Sequence, residues 1–431
     1  MHTEPILFRR VNMGKFTKLE KQWILYDVGN SAFAMLVTTI IPIYFKNVAN
    51  TAGISAANST AYWGYAVSIS TIIVAILGPI LGTLADTKGF KKPLFSFFLM
   101  LGVVGCAALA LPLPWIVFLA IFVMAKVGFS GGNIFYDAML NDITTDERMD
   151  EVSSHGYAWG YIGSCIPFTI SLLLVLGAKK VGLTTSRATA IAFLINAAWW
   201  FLITLPLLKN YKQKYYVEKS EKPVLESFKR LGNVFKNIKS NKKIFIFLLA
   251  YFFYIDGVHT IISMSTSYGK DVGITDSNLL LALLLTQIVA FPCALLFGKM
   301  SKKFKSDKLI STCVIAYTFI TLFALQLDKT WEFWLLAVCV AVFQGAIQAL
   351  SRSYFSKIIP KDKSSEYFGL YDIFGKGAAF FGTMMMSLAT QISGSSKVGV
   401  IAIAIMFIMG FVFFQKANSV NIISSNNNRA V

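Results

Sequence analysis

Long apolar runs, separated by short polar or charged segments, dominate the chain from residue 22 to residue 415. These runs are about as long as the roughly 20 residues that a helix needs to cross a bilayer. They predict twelve membrane-spanning helices, at 22–45, 61–84, 93–111, 115–140, 154–177, 188–208, 244–268, 278–298, 309–327, 331–355, 366–390 and 398–415. We therefore expect an all-α polytopic membrane protein.

Composition supports a membrane protein and argues against the soluble classes. Of 431 residues, 55% are hydrophobic and only 14% are charged, whereas about 25% of a typical soluble domain is charged. This excludes a soluble enzyme and a disordered chain. The net charge of +18 would indicate nucleic-acid binding in a soluble protein. In a chain with long apolar runs a membrane protein is the first interpretation, and no nucleic-acid partner is expected.

The distribution of lysine and arginine predicts the orientation. With the N-terminus inside, the inner segments contain 30 of these residues and the outer loops contain seven. Lysine and arginine collect on the cytoplasmic side of membrane proteins. We therefore predict a cell inner-membrane protein with both termini in the cytoplasm.

The longest inner segment divides the predicted spans into six and six. Apolar residues recur at helical spacing from Val224 to Ile238, with lysines between them, so this segment is expected to lie as an amphipathic helix on the anionic inner leaflet. An ordinary solvated linker is the alternative. The predicted organisation, for a monomer, is an N-terminal segment 1–21, a six-helix bundle 22–208, a basic linker 209–243, a second six-helix bundle 244–416 and a disordered tail 417–431.

The two halves repeat several short strings in the same order. Tyr26-Asp27 in the first span resembles the Tyr254–Asp256 stretch in the seventh, and Phe129–Gly131 and Phe343–Gly345 lie 214 residues apart. A parallel repeat of this kind places a solute site at the pseudo-twofold interface between the halves. The spans numbered 3, 6, 9 and 12 carry no ionisable residue in their interiors and are expected to face lipid.

Ionisable residues within spans are costly and usually face a bundle interior or a wet cavity. Here they are Asp27, Lys126, Asp137, Asp256, His259, Arg352, Asp372 and Lys376. The predicted solute-binding residues are Lys126, Asn30, Tyr26, Gln344, Gln348 and Lys376. The predicted proton-coupling residues are Asp256, Asp27 and His259, and the predicted gating residues are Asp86, Asp137, Arg352 and Asp372.

Alternatives remain for two of these groups. Lys126 could form a structural ion pair with Asp27 or Asp256. Asp372 and Lys376 are four residues apart and could neutralise each other on one helix face. With five scattered cysteines and three histidines, neither a metal centre nor a cofactor is expected.

The loop after the second span contains a cluster of charges. Asp86 is followed by Gly89, which the turn needs, and by Lys91 and Lys92. Such a cluster can stabilise one state of a two-state carrier, although an ordinary basic inner loop is the simpler interpretation. In the second half Lys302 occupies the position of Asp86, so we expect such a lock on one side only.

The loop residues Gly82, Leu84, Ala85, Asp86, Gly89 and Lys91 resemble the signature loop of the major facilitator superfamily. Within it the chain resembles the vacuole effluxer family, which includes fungal autophagy-related vacuolar amino-acid exporters and bacterial relatives. The strings that carry this resemblance are Trp23–Phe33, Phe135–Ile143, Gln348–Phe355 and Phe368–Lys376. The resemblance implies twelve helices in two pseudo-symmetric halves, and secondary active transport of a small polar solute such as an amino acid.

Two other functions are consistent with parts of the pattern. Gly128-Phe-Ser130-Gly-Gly132 matches the G-x-S-x-G string of serine hydrolases, but a nucleophile elbow requires a strand–turn–helix context. Small residues in a span more often allow close helix packing, so an intramembrane serine protease is a remote alternative. A lipid scramblase or a receptor-like membrane protein is the nearer one.

Overall fold

The computed structural model describes residues 16–218, 242–271, 273–393 and 395–420, which are almost entirely helical. The α-helices of these ranges are α1 (Lys18–Thr38), α2 (Ile40–Thr51), α3 (Ala56–Ala85), α4 (Lys91–Ala108), α5 (Trp115–Ile143), α6 (Met149–Leu176), α7 (Thr185–Asn210), α8 (Lys242–Asp271), α9 (Asp276–Met300), α10 (Ser306–Ala324), α11 (Thr330–Ile358), α12 (Ser364–Ser393) and α13 (Ser396–Ser419). The all-α prediction is confirmed.

The first span is a single run, Lys18–Thr51, that is interrupted at Thr39. Thr39 leaves the helical conformation, with φ −129° and ψ −78°, and its hydroxyl donates to the carbonyl of Met35. Within the described residues ten helices are long and apolar enough to cross a membrane. Two helices correspond to the other two of the twelve predicted spans. They are α9, which contains the shorter apolar stretch Leu284–Met300, and α12, which includes polar residues.

The helices form two bundles, α1–α7 and α8–α13, that meet mainly along two pairs of helices, with further contacts of α11 and α12 to α5 and α6. In one pair α3 packs against α12, and in the other α6 packs against α9. The helices α4, α7, α10 and α13 pack mainly within their own bundles. Their outer faces carry exposed apolar side chains, for example Phe97, Leu202, Phe319 and Ile405. These are the spans that were expected to face lipid.

Successive spans cross in opposite directions. The segments that follow α3, α5, α7, α9 and α11 therefore lie on the side where the chain enters α1. We call this side the terminal face. It is the side for which the sequence predicts a cytoplasmic location, and it contains the loop 86–90 and the segment 211–218 that follows α7.

Several boundaries differ from the sequence-based prediction. At the terminal face α6 begins at Met149 and α11 continues to Ile358, because side chains of the opposite bundle cover these ends. Helix α13 continues to Ser419, so the tail does not begin at 417. The predicted amphipathic helix, and the tail beyond 420, lie outside the described residues.

Glycines allow the bundles to approach closely at the terminal face. A Cβ on Gly82 of α3 would collide with the backbone carbonyl of Ser365 in α12, and a Cβ on Gly369 would lie 2.7 Å from the carbonyl oxygen of Gly78. Gly89 serves a different need, since it has a φ of 82° in the loop after α3, a conformation that favours glycine.

We expect Gly82→Ala to reduce the free energy of unfolding by about 1–3 kcal/mol, because the added methyl group forces α3 away from α12. Chemical unfolding of the purified chain in mixed micelles would measure it. Gly64→Ala in the same helix is the matched control, since nothing lies within 4 Å of a Cβ there. Equal stabilities of the two variants would contradict the close contact.

Candidate gate and solute site

Arg352 of α11 is buried between two carboxylates of the other bundle. Its Nη1 donates to Asp137 Oδ1 at 3.0 Å, and its Nη2 lies 3.5 Å from Asp27 Oδ2. The Nε donates to the hydroxyl of Ser153 at 2.9 Å, and Nη2 also donates to the carbonyl oxygen of that residue. Only 3% of the Arg352 side chain is exposed. We call these four residues the arginine cluster.

Aromatic rings enclose the arginine cluster. The guanidinium carbon of Arg352 lies 4.4 Å from the ring centre of Tyr157 and 4.7 Å from that of Trp23, distances at which a cation is attracted to a π face. Trp23 stacks on Tyr136, and each donates a hydrogen bond to the backbone carbonyl of the other. The stack fixes α1 against α5, and thereby the positions of the two acids.

A second polar group lies on the same two helices as the acids. The side-chain amide of Asn30 donates to Asn133 Oδ1 at 2.8 Å, and the hydroxyl of Tyr26 lies 3.4 Å from the same oxygen. Asn30 Oδ1 is buried and accepts no hydrogen bond from the described residues. The structure thus brings together two predicted solute-binding residues and leaves an acceptor available.

Across the interface, Gln348 of α11 connects to the first bundle. Its Nε2 lies 3.4 Å from the hydroxyl of Tyr161 in α6 and 3.2 Å from the carbonyl oxygen of Gln344. This contact lies near the middle of both helices. Polar contact between the bundles therefore extends from the terminal face to about the middle of these helices.

Asp256 of α8 is completely buried within the second bundle. Its Oδ1 accepts from the backbone amide of Gly382 at 3.0 Å and from the hydroxyl of Thr260 at 3.3 Å, whereas Oδ2 accepts no hydrogen bond from the described residues. A Cβ on Gly382 would collide with this carboxylate. Thr260, one helical turn away, thus makes the side-chain contact to Asp256, and the coupling roles of Asp256 and His259 stay predictions.

The remaining predicted residues are more dispersed. Lys126 on α5 is half-buried, two helical turns from Asn133 on the same helix, and Asp372 on α12 is half-buried. His259 is half-buried on α8. The side chain of Lys376 lies outside the described residues. The carboxylate of Asp27, one proposed partner of Lys126, is occupied by Arg352.

Asp86 joins the loop after α3 to the first turn of α12. Its two oxygens accept from the backbone amides of Ser365 and Glu366, each at 2.8 Å. These amides belong to the first turn of a helix, where backbone donors lack partners and negative charge is favoured. Burial raises the pKa of Asp86 to about 7, whereas nearby Lys91 acts to lower it. Its charge is therefore sensitive to pH near neutrality.

Lys91 also joins the two bundles at this point, and we call the contacts of Asp86 and Lys91 with the first turn of α12 the first latch. Its ammonium group donates to Ser364 Oγ at 2.9 Å and to Asp142 Oδ2 at 3.1 Å, and it is fully buried. Asp142 in turn accepts from the hydroxyl of Tyr211 at 2.5 Å and from the backbone amide of Tyr215 at 2.9 Å. Burial, and then the neighbouring carboxylate of Asp142, raise the pKa of Tyr211 well above its usual value.

The segment 211–218 is therefore docked on the first bundle, although the sequence assigned it to a linker. Val217 pairs with the loop after α3 as an isolated parallel bridge to Thr87, through its amide to Asp86 and its carbonyl to Lys88. The side chain of Gln213 adds hydrogen bonds to the carbonyl of Ala85 and from the amide of Gly89. We call this segment the strap.

A second latch lies at the pseudo-symmetric position. Asp150 at the start of α6 accepts from Ser306 at 2.6 Å, from Ser353 at 2.5 Å and from Lys357 at 2.6 Å. Lys302 forms an ion pair with Glu151 at 2.8 Å. The expectation of contacts on one side only is therefore wrong. In the second half the charges are exchanged, so the loop supplies the cation and the helix start supplies the acid.

Sequence reasoning missed Lys91, Asp142 and Asp150 as contacts between elements. All three lie at the ends of helices in a basic, apparently solvated face, where charged residues normally need no partner. A usable signal was present, since the inner loop that contains Asp142 and Asp150 has five acids and one arginine, whereas the other inner segments are basic. The bundle interface buries them, and only the three-dimensional arrangement shows this.

The G-x-S-x-G string has a packing role. It lies inside α5, and a Cβ on Gly128 would collide with Gly102 in α4, while one on Gly131 would collide with the ring of Phe98. These glycines bring α4 and α5 together. The helical context offers no strand–turn–helix elbow for Ser130.

Comparison with solved structures identifies the class of fold. The chain superposes on FucP, a major facilitator superfamily transporter in its outward conformation, with a TM-score of 0.74, covering 94% of this chain and 98% of that one at 14% sequence identity. The two bundles with paired interface helices therefore have the major facilitator superfamily fold.

The family assignment is more specific. The family model described as "Vacuole effluxer Atg22 like" matches residues 17–422, and the chain belongs to this family. It is 46% identical over 406 residues to the uncharacterized MFS-type transporter YxiO of Bacillus subtilis, covering 93% of this chain and 95% of that one. It is 26% identical over 284 residues to autophagy-related protein 22-1 of Penicillium rubens, of whose length the match covers about half, 47%.

These relatives are transporters rather than enzymes. The prediction of a transporter without enzymatic activity is thus confirmed, and the intramembrane protease is not supported.

We expect Arg352→Met to destabilise the protein by about 3–5 kcal/mol, because it leaves the buried Asp27 and the partly buried Asp137 without a cation. The triple variant Arg352→Met, Asp27→Asn, Asp137→Asn should recover most of that loss, since it removes all three charges. Chemical unfolding in mixed micelles measures both, and Arg187→Met, at an exposed site, is the control. A triple variant no more stable than the single one would contradict the cluster as an ionic unit.

Proposed function

We propose that the chain moves an amino acid across the membrane by alternating access, coupled to protons. The observation that supports this most directly is the arginine cluster, in which one bundle supplies a buried cation and the other supplies two acids. Such a cluster exists only while the two bundles touch at the terminal face. It is therefore a contact that one state of a carrier has and the other lacks.

The distribution of polar contacts supports a state closed at the terminal face. Among the described residues, the hydrogen bonds and ion pairs between bundles run from Lys361–Asp146 at that face to Gln348–Tyr161 near mid-membrane. We propose that Asp86, Asp137, Arg352 and Asp372 act as gate residues, with the two latches as the outermost layer. Opening this face would then expose the cluster to water.

The proposed solute site lies beyond the arginine cluster, on the side away from the terminal face. Lys126 on α5 and the Asn30–Asn133 pair supply a cation, amide donors and an unused acceptor to this region. Gln344 and Gln348 supply amides from α11. A zwitterion with one carboxylate and one ammonium group suits such a mixture, because charge-assisted hydrogen bonds are stronger than neutral ones.

We expect Lys126→Ala to fold normally and to lower amino-acid affinity by about 10- to 100-fold, the effect of removing one charge-assisted contact. Lys126→Arg should restore little, because a planar fork does not reproduce a point charge. A screen of the twenty common amino acids by thermal shift on the purified chain, followed by equilibrium binding, measures this. Lys179→Ala, an exposed lysine, is the control, and normal affinity in Lys126→Ala would assign that residue to structure.

Asp256 is the proposed site of proton coupling, with Asp27 as its counterpart in the first half. A buried charge without a partner is costly, and a proton on the unpaired Oδ2 would remove that charge. Asp27 is held by Arg352 in the closed state, and breaking the arginine cluster would release it to exchange protons. We place His259 in a supporting role, as a half-buried group one residue from Thr260.

We expect Asp256→Asn in proteoliposomes to keep exchange of a labelled amino acid but to lose accumulation driven by a pH gradient, because asparagine mimics the protonated acid. Asp27→Asn is the second variant, and Asp328→Asn, an exposed acid, is the control. Full pH-driven accumulation in both Asp256→Asn and Asp27→Asn would remove these residues from the coupling mechanism.

A further inference from the structure

A basic groove lies at the terminal face, between the start of α4 and the strap. It is open to solvent, and its lining includes Lys88, Lys92, Lys212 and Tyr216. Lys88 forms an ion pair with the exposed Glu218, with 3.3 Å between Nζ and Oε1. Lys92 and Lys212 form no ion pair within the part of the chain that the structure describes. The groove therefore presents positive charge that the described protein does not neutralise.

The start of α4 adds to this positive character. The helix begins at Lys91 after Phe90, a residue whose side chain has no hydrogen-bond acceptor to cap the first turn. Unpaired amides and the helix dipole make such a start favourable for an anion. An anion in the groove would thus meet a helix N-terminus and two lysines from different chain segments.

The groove is continuous with a surface that faces the membrane. Pro93, Phe97, Met100 and Val104 lie along one face of α4 at helical spacing, and all four are exposed. Phe97 is 59% exposed and Val104 is 52% exposed. An apolar stripe that begins at a cationic groove matches a molecule with an anionic head and apolar tails.

We propose that this groove binds the phosphodiester headgroup of an anionic phospholipid, with the acyl chains along the exposed face of α4. The strap and the loop after α3 form its walls, and the same loop holds Asp86 against α12. A bound headgroup would hold the strap and the start of α4 together from the lipid side. This site is independent of the solute and of the coupling ion.

The test is lipid binding to the full chain in detergent, counted by native mass spectrometry during titration with phosphatidylglycerol and, separately, with phosphatidylcholine. We expect saturable binding of phosphatidylglycerol that is at least about tenfold tighter than that of phosphatidylcholine. The double variant Lys92→Gln, Lys212→Gln should lose about tenfold or more in phosphatidylglycerol affinity, since each lysine near anionic lipid contributes about 1 kcal/mol.

The matched control is Lys303→Gln, Lys308→Gln, which removes two exposed lysines from the same face outside the groove. Unchanged affinity in this control supports a defined site, and an equal loss in both double variants would show general charge attraction and overturn it. Soluble glycerol phosphate is the last arm. Displacement of the lipid by millimolar glycerol phosphate would indicate a site for a free anion instead, and unchanged binding in Lys92→Gln, Lys212→Gln would also reject the proposal.

Discussion

The cost of burying the Arg352 charge is the constraint on which the closed arrangement depends. A guanidinium taken out of water loses several kcal/mol of solvation, and ion pairs of good geometry recover a similar amount. Here the recovery comes almost entirely from the other bundle, through Asp27, Asp137 and Ser153. The Arg352 charge is therefore compensated either by these partners, while the bundles meet, or by water, when the bundles are apart. Such a near balance suits a carrier, because an equilibrium that strongly favours one state stops turnover.

The two latches at the terminal face have the same geometry, with the charges exchanged between the halves. Lys91, Asp142 and Ser364 meet at one side of the terminal face, and Ser306, Lys357 and Asp150 meet at the other. Corresponding residues lie about 214–215 residues apart in the chain, which is the offset of the sequence repeat. Contact positions have thus been kept while residue types have changed. This is why Lys302, judged from its charge alone, suggested that the second contact was missing.

The sequence predicted what depends on periodicity and on the cost of charge in lipid. The all-α fold follows from the first rule, and the burial of Arg352 inside the protein follows from the second. The roles of Arg352, Asp137 and Asp86 stay predictions. Partners could not be predicted, because contacts across the interface join residues far apart in the chain, for example 215 positions for Asp137 and Arg352. The carboxylate of Asp256 likewise accepts from the backbone amide of Gly382, 126 positions later, a partner that no local spacing indicates.

The hydrogen bonds around the loop after α3 determine where the terminal face can separate. The strap, Asp142 and the loop itself all belong to the first bundle, and the bridge between Thr87 and Val217 ties them together. Only the first turn of α12, with Ser364, Ser365 and Glu366, belongs to the second bundle. When the bundles part, the bonds of Asp86 and Lys91 to that turn must break, while the bonds within the first bundle stay. Asp86 and Lys91 therefore remain positioned by their own bundle for the next closure, so that re-forming the latch needs little ordering of side chains.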